Sequence, residues 1–369
     1  MGLSDKLNPA LRDLSVYQPG RPLEEVAREI GSPPDQLIKL ASNENPHGPS
    51  PLAITAMENA ATEIHRYPDG NAFYLRKQLA KKLGVRPNNL VFGNGSNEII
   101  EFVARSLLEP GDDIVVSQYC FAIYPIVAKM MGANVLQVPA KDYGHDLSSM
   151  LKAITARTKI IFIANPNNPT GTIASKTQID NLITDLPTDT LLVLDEAYIE
   201  YQEDPIDLMP LIHAEEYPNL LLMRTFSKIY GLAGLRIGYG IGHPEFVGTL
   251  EKIRQPFNLN AMAQKAAMAA LDDVSHIEMS RSLNIKGAIY LESELDNAGI
   301  EYLHTAANFI LIRVGDDIQV TEQLKQLGVI VRPLNSYGLP EWIRVTIGKE
   351  EENNRFLSAI RKALAQSKD

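Results

Sequence analysis

The chain offers almost no sulfur chemistry. Cys120 is the single cysteine in 369 residues, so no disulfide can form within the chain, and this suits a reducing compartment. Positive charge is also short: 35 Lys and Arg stand against 45 Asp and Glu, a formal charge of -10. That is the wrong sign for a protein that grips a nucleic-acid backbone or an anionic membrane over a broad surface. An anionic ligand would need cations gathered locally. Long apolar runs are missing, and stretches such as FAIYPIVA fall far short of the roughly 20 residues that cross a bilayer. The start MGLSDKLNPALRDLS has no basic segment followed by an apolar one, and Lys6 stands where a myristoylation signal needs Ser or Thr. A cytoplasmic protein is therefore expected. The seven His include no pair at H-x-x-x-H spacing, so no metal site is expected. The sequon N-G-S at Asn94 has meaning only in a secreted chain.

What is present is ordinary globular material, 45% apolar and 22% charged, without low-complexity tracts or internal repeats. At 369 residues the chain exceeds the roughly 250 to 300 residues over which one core keeps growing, so two domains are expected. Short apolar, β-branched runs alternate with helix-length amphipathic segments through the middle: NNLVFG, DDIVVSQ, TKIIFIANP, TLLVLDEAY, NLLLMRTFS and RIGYGIG. Strands apolar on both faces and separated by helices indicate a mainly parallel sheet covered by helices, an α/β domain. From Asn258 an Ala- and Met-rich helical stretch leads into NFILIRV, VIVRPL and WIRVTIG, the texture of a smaller α+β domain. The expected division is an N-terminal arm over 1–45 packed with the small domain, a large domain over 46–257 and the small domain over 258–369.

In open sheets of this kind ligands bind beyond the carboxyl ends of the strands. After LVF comes GNGSNE, where Gly95, Ser96 and Asn97 open a helix and could present free N–H groups to an anion; an Asn-Gly turn is the plain alternative. After IIFIA comes NPNNPTG, a rigid loop carrying Asn168 that could equally be a structural turn. LLVLDEAY ends on Asp195 with Tyr198 close behind, and a carboxylate at the end of an apolar strand needs a cation, donors or a capping role. In TFSKIYGLAGLRIGYG, Lys228 is boxed in by small and apolar residues. Burial lowers the proton affinity of an amine, and a neutral amine can attack a carbonyl to form an imine. Thr225, Ser227 and Arg236 supply hydroxyls and a guanidinium suited to a phosphate dianion. Arg332 and Arg344 lie in separate apolar strands of the C-terminal part, where each needs an anionic partner, from a ligand or from a structural carboxylate. A cofactor with an aldehyde, a phosphate, a ring nitrogen and a phenolic oxygen would use these groups together, and pyridoxal phosphate is such a cofactor.

From NENPHGPSP to WIRVTIG the chain resembles the fold type I pyridoxal-phosphate aminotransferases, and among them the histidinol-phosphate aminotransferase family. The resemblance implies that Lys228 carries the cofactor and serves as acid and base, that Asp195 pairs with the ring nitrogen, and that Tyr198 and Asn168 bind the phenolic oxygen. It implies a phosphate cup of Thr225, Ser227, Arg236 and the N–H groups of Ser96 and Asn97, with Phe121 stacked on the ring. Tyr67 is similar to a tyrosine that reaches the neighbouring subunit's phosphate, which implies a homodimer. Arg332, Arg344 and Asn45 are implied as substrate-binding, with a loop-capping role for Asn45 as the alternative. The expected reaction moves the amino group of histidinol phosphate to 2-oxoglutarate, giving imidazole acetol phosphate and glutamate in histidine biosynthesis.

Phe121 stands where this family commonly has tyrosine, and Asn97 where an acidic residue is frequent, so the motifs define the cofactor more closely than the substrate. The rivals are an aromatic amino acid aminotransferase on the same scaffold, a non-catalytic pyridoxal-phosphate-binding regulator and a nucleotide binder using GNGSNE. Cys120 reads as a small buried hydrophobe, the Ala and Met run after Asn260 as a core helix and Trp342 as packing.

Overall fold

Runs of leucine and β-branched residues become strands where helices cover both faces, because each residue then has apolar neighbours whichever way it points. The computed structural model describes residues 2–12, 14, 16–17 and 20–366; of the terminal segments assigned above, residues 1, 13, 15, 18, 19 and 367–369 lie outside this set. A short strand, β1 (Ile38–Lys39), is followed by the strands of the main sheet: β2 (Leu90–Gly93), β3 (Asp113–Ser117), β4 (Asn134–Val138), β5 (Thr158–Ala164), β6 (Leu191–Asp195), β7 (Leu220–Thr225) and β8 (Gly238–Gly242). Their order across the sheet is β2-β8-β7-β6-β5-β3-β4. Strands β4, β3, β5, β6 and β7 are parallel, while β8 runs antiparallel to both β7 and β2. The sheet is thus mainly parallel, and the segment RIGYGIG supplies its one reversed strand.

The two faces divide residue by residue. Val115, Ile161, Ile163, Leu192, Leu194 and Leu222 join one core, whereas Ile114, Val116, Ile160, Phe162, Val193 and Met223 join the other, the period of two that a pleated strand imposes. Each fully buried Leu or Ile contributes about 1.5–3 kcal/mol, so the sheet is a stiff platform. Helix Ala261–Asp272 is capped by Asn260, whose Oδ1 accepts from Ala263 N at 2.7 Å. Its buried alanines let it lie against helices Pro51–Ala60 and Phe73–Leu83. That is the core helix expected of the Ala-rich run.

The C-terminal part adds β9 (Tyr302–Leu303), β10 (Phe309–Arg313), β11 (Val329–Ile330), β12 (Arg332–Pro333) and β13 (Trp342–Thr346). Four of these form an antiparallel sheet in the order β12-β13-β10-β9. Helices Val274–Asn297 and Glu350–Gln366 cover it through Leu291, Leu295, Phe356 and Ile360. β1 pairs in parallel with β11, tying the N-terminal segment to this layer. Trp342 is buried with its ring edge-on to Tyr143 at 5.2 Å, and Cys120 is buried with its thiol pushed up to about 12 by desolvation; both are packing residues. No helix among the described residues is long and apolar enough to cross a membrane.

Candidate active site

The strand order turns back between β3 and β5, and there the loops at the carboxyl ends separate to leave a crevice. A cavity of about 390 Å³ opens at this rim. The strand ends deliver the groups: Asp195 is the last residue of β6, Thr225 the last of β7, and Asn168 lies in the loop after β5. Ser96, Asn97, Phe121, Tyr198, Ser227, Lys228, Arg236, Arg332 and Arg344 also line it. Twelve of the fourteen residues singled out in the sequence therefore meet in one cavity.

Lys228, half-buried, donates from Nζ to the Ser42 carbonyl at 3.4 Å and lies 5.4 Å from the centre of the Tyr198 ring. Burial, with Arg344 adding to it, lowers its pKa to about 8, while Glu44 and Asp195 pull the other way. At pH 7 such an amine is still mostly protonated, but its neutral fraction, roughly a tenth, is far above that of an ordinary lysine. Asp195 is 6% exposed. Its Oδ2 accepts from Tyr124 Oη at 2.7 Å and its Oδ1 from Ala197 N at 3.1 Å. Desolvation raises its pKa to about 6 despite these donors, so a cation beside it would be stabilising. Behind it Glu196 accepts from Arg224 Nε at 2.7 Å, a buried pair that joins the ends of β6 and β7.

Tyr198 is buried, and its Oη accepts from Asn43 Nδ2 at 2.9 Å. Asn168 lies between two cis peptide bonds, Asn165-Pro166 and Asn168-Pro169, and its Oδ1 accepts from Arg344 Nη1. Phe121 at the cavity wall sits edge-on to Tyr124 at 5.6 Å, and Tyr124 stacks on Phe162 at 4.6 Å.

Helix Ser96–Leu107 begins after Gly95 with no capping side chain, and its first residues, Ser96 and Asn97, line the cavity. Gly95 has φ +82°, and a Cβ there would stand 2.4 Å from Arg236 Nη2. Only glycine lets the guanidinium lie across the helix start. Arg236 Nη1 donates to the Ala233 carbonyl at 3.0 Å, and no carboxylate among the described residues pairs with it. Thr225 Oγ1 accepts from Ser227 N at 3.1 Å. A bare helix terminus, a guanidinium and two hydroxyls are the groups that suit a phosphate dianion.

The third wall comes from the antiparallel sheet. Arg332 and Arg344 are direct partners across β12 and β13, so their side chains leave the same face. Arg344 is buried, its Nη2 donates to the Ala41 carbonyl at 2.9 Å, and its buried Nε has no partner. Desolvation lowers its pKa. Arg332 lies 6.0 Å from the Tyr17 ring centre. Tyr17 and Tyr337 complete this end.

Two of the sequence-derived residues fall outside the lining. Asn45 spends its amide on the Ile229 carbonyl at 2.8 Å and Ser280 Oγ at 3.0 Å, and its Oδ1 caps His47 N at 3.0 Å; this is the loop-capping alternative. Tyr67 is 83% exposed and stacks on Phe257 at 4.7 Å. Conversely, sequence reasoning missed Tyr124, Asn43, Tyr17 and Tyr337. Tyr124 follows Phe121 by one helical turn, a spacing that could have flagged it.

The residues present fit pyridoxal phosphate: an amine whose proton is loosened by burial, a helix start without a capping side chain beside a guanidinium and two hydroxyls, a desolvated carboxylate and a buried arginine line one cavity. Residues 35–360 match the family described as aminotransferase class I and II. A protein of Pseudomonas fluorescens named histidinol-phosphate aminotransferase 2 is 48% identical over 362 residues, covering 97% of each chain. The histidinol-phosphate aminotransferase of Moorella thermoacetica is 45% identical over 372 residues, covering 98% of this chain and 93% of its own. Among solved structures, histidinol-phosphate aminotransferase from Sinorhizobium meliloti in complex with pyridoxal-5'-phosphate has a TM-score of 0.89 at 28% identity, covering 98% of each chain.

Proposed function

The chain belongs to the class I and II aminotransferases, and from that premise we propose that it moves the amino group of histidinol phosphate to 2-oxoglutarate, with pyridoxal phosphate as cofactor, in histidine biosynthesis. The observation that carries this reading is the pair Arg332 and Arg344 side by side at the far wall of the Lys228 cavity. Two adjacent cations suit a phosphate in one half-reaction and the carboxylates of glutamate or 2-oxoglutarate in the other. Full-length relatives at 45 to 48% identity carry the same activity in their names.

When bound, pyridoxal phosphate supplies an aldehyde carbon for amines and a ring that takes up the electron pair released at the substrate's α carbon. The residues of the chain divide the remaining work. Ser96 N, Asn97 N, Thr225, Ser227 and Arg236 would hold the phosphate. Phe121 would pack against the cofactor. Asp195, held by Tyr124 and Ala197, keeps the ring nitrogen protonated, since a carboxylate in a desolvated pocket stabilises a neighbouring cation. Tyr198 and Asn168 would hydrogen-bond the phenolic oxygen.

Lys228 would hold the cofactor through its amine and would serve as the acid and base for the proton at the substrate's α carbon. Its lowered pKa brings the neutral, proton-accepting form of the amine within reach near neutral pH. The Arg332 and Arg344 pair orients the substrate so that the bond to be broken faces this amine. Donor and acceptor use the same cavity in turn, so the kinetics are ping-pong.

The active form is a homodimer in the cytoplasm. Tyr67 with Phe257, and Phe73 with Tyr74, are two exposed aromatic pairs that a second copy would cover, with Tyr67 reaching the partner's phosphate. Steady-state kinetics with histidinol phosphate and with phenylalanine as donors test the substrate. A kcat/KM at least tenfold higher for histidinol phosphate is expected, and a preference for phenylalanine would assign the chain to aromatic amino acid transamination.

A further inference from the structure

Asn43 is 1% exposed and has φ +56°, in the left-handed region. Asparagine tolerates this conformation, but glycine adopts it at lower cost, so the backbone alone does not explain the residue. Its side chain does more. Asn43 Nδ2 donates to Tyr198 Oη at 2.9 Å. Its backbone is anchored elsewhere: Asn43 N donates to Thr346 Oγ1 at 2.9 Å, and Asn308 Nδ2 donates to the Asn43 carbonyl at 3.0 Å. Thr346 ends β13, two residues past Arg344, and Asn308 immediately precedes β10. The amide is therefore held rigidly from the four-stranded sheet and aimed at a phenol on the rim of the main sheet.

A phenol has one proton and two lone pairs. With one lone pair occupied by the Asn43 amide, the Tyr198 proton has to point elsewhere, and the open direction is the cavity that Tyr198 lines. A donor on the oxygen also polarises the O–H bond, which makes the phenol a better donor in its turn. We propose that Asn43 is a positioning residue for the cofactor's phenolic oxygen, acting entirely through Tyr198 by directing and strengthening its hydroxyl as a donor. This inference rests on the reading of the cavity as a pyridoxal-phosphate site.

Charged and titratable groups surround Tyr198 on every side. Lys228 Nζ stands over its ring, Arg344 and Asp195 face it, and Tyr124, Tyr201 and Tyr337 are close enough to interact with it. Burial raises the Tyr198 pKa, Arg344 and the Asn43 hydrogen bond oppose that rise, and Asp195 adds to it. The phenol is thus a neutral donor throughout the working range, and its donor strength is set by Asn43 and Arg344. Withdrawing that donor from a phenolic oxygen makes the oxygen more basic, and protons bound nearby are held more tightly.

The test is the pH titration of the visible absorbance of the cofactor-loaded protein, for wild type, Asn43→Gly, Asn43→Asp, Tyr198→Phe and the Asn43→Gly/Tyr198→Phe double variant. Glycine keeps the left-handed backbone and removes only the amide. The midpoint is expected to rise by about 0.5 to 1 pH unit in Asn43→Gly, roughly three- to tenfold in proton affinity, and by at least as much in Asn43→Asp, whose carboxylate accepts where the amide donates. In the Tyr198→Phe background Asn43→Gly should add nothing. An unmoved midpoint in either Asn43 variant, or a full further shift in the double variant, overturns the proposal. A wild type with no visible band after incubation with the cofactor would overturn the reading of the cavity itself, and this inference with it.

Discussion

Arg332 and Arg344 occupy directly opposed positions of the β12 and β13 pair, an arrangement of like charges that costs stability unless an anion lies between them. Arg344 is buried, with Nη1 on Asn168 and Nη2 on the Ala41 carbonyl. Arg344→Ala should lower kcat/KM for histidinol phosphate by about 100-fold or more, roughly 3 kcal/mol or above, because a desolvated anion loses its buried guanidinium partner. Arg344→Lys should recover only part of this, since an ammonium cannot hold Asn168 and substrate together. Steady-state kinetics on the two variants measure it.

Lys228 should be a liability for the cofactor-free fold. Its pKa falls from the ordinary 10.5 to about 8 on folding, so the folded chain binds this proton less tightly than the unfolded chain. The resulting destabilisation is complete below pH 8, shrinks as pH rises and is gone near 10.5. Lys228→Met should therefore stabilise the cofactor-free protein at pH 7 by about 1 to 3 kcal/mol, with the gain shrinking in denaturant titrations between pH 8 and pH 10. The same variant should have no transaminase activity.

The Asp195 carboxyl behaves in the mirror sense. An acid raised from 3.8 to about 6 is bound more tightly to its proton in the folded chain, so its ionised form destabilises the empty fold above pH 6 and ceases to do so as pH falls below 4. Asp195→Asn should leave the empty protein at least as stable at pH 7, while kcat falls by about 100-fold or more because the ring nitrogen loses its counter-charge. Thermal denaturation of the empty protein and kcat of the loaded one separate the two effects.

Gly95→Ala tests the phosphate cup. The added methyl would meet Arg236 Nη2 at 2.4 Å in a backbone with φ +82°, so the guanidinium has to leave the helix start. Affinity for pyridoxal phosphate should fall by about tenfold or more. The same substitution should shrink the thermal upshift that inorganic phosphate gives the cofactor-free protein, read by differential scanning fluorimetry.

Much of this site could be read along the chain, because strands of a parallel sheet buried on both faces are near-continuous apolar runs whose ends are marked by sudden polarity. Asp195 after LLVL and Thr225 after LLLMR stand out for that reason. Direction does not show in such a run, since the pattern is identical read either way, and the reversal of β8 emerges only from its pairing with β7 and β2. The segment NEN shows a different gap. Asn43 and Asn45 are two residues apart and chemically identical, and the positive φ of Asn43 turns its amide onto Tyr198 while Asn45 points away to Ile229 and Ser280. Tyr124 was hidden because its partner Asp195 lies 71 residues further along, a contact that only the sheet brings together.

Reduction with borohydride after incubation with pyridoxal phosphate, followed by peptide mapping, asks whether the amine of Lys228 is where the cofactor is held. A single pyridoxyl-modified peptide spanning Thr225 to Gly240 is expected, with no modified peptide from Lys228→Met. Modification of a different lysine, or a colourless protein that borohydride leaves unlabelled, would contradict the assignment of this cavity.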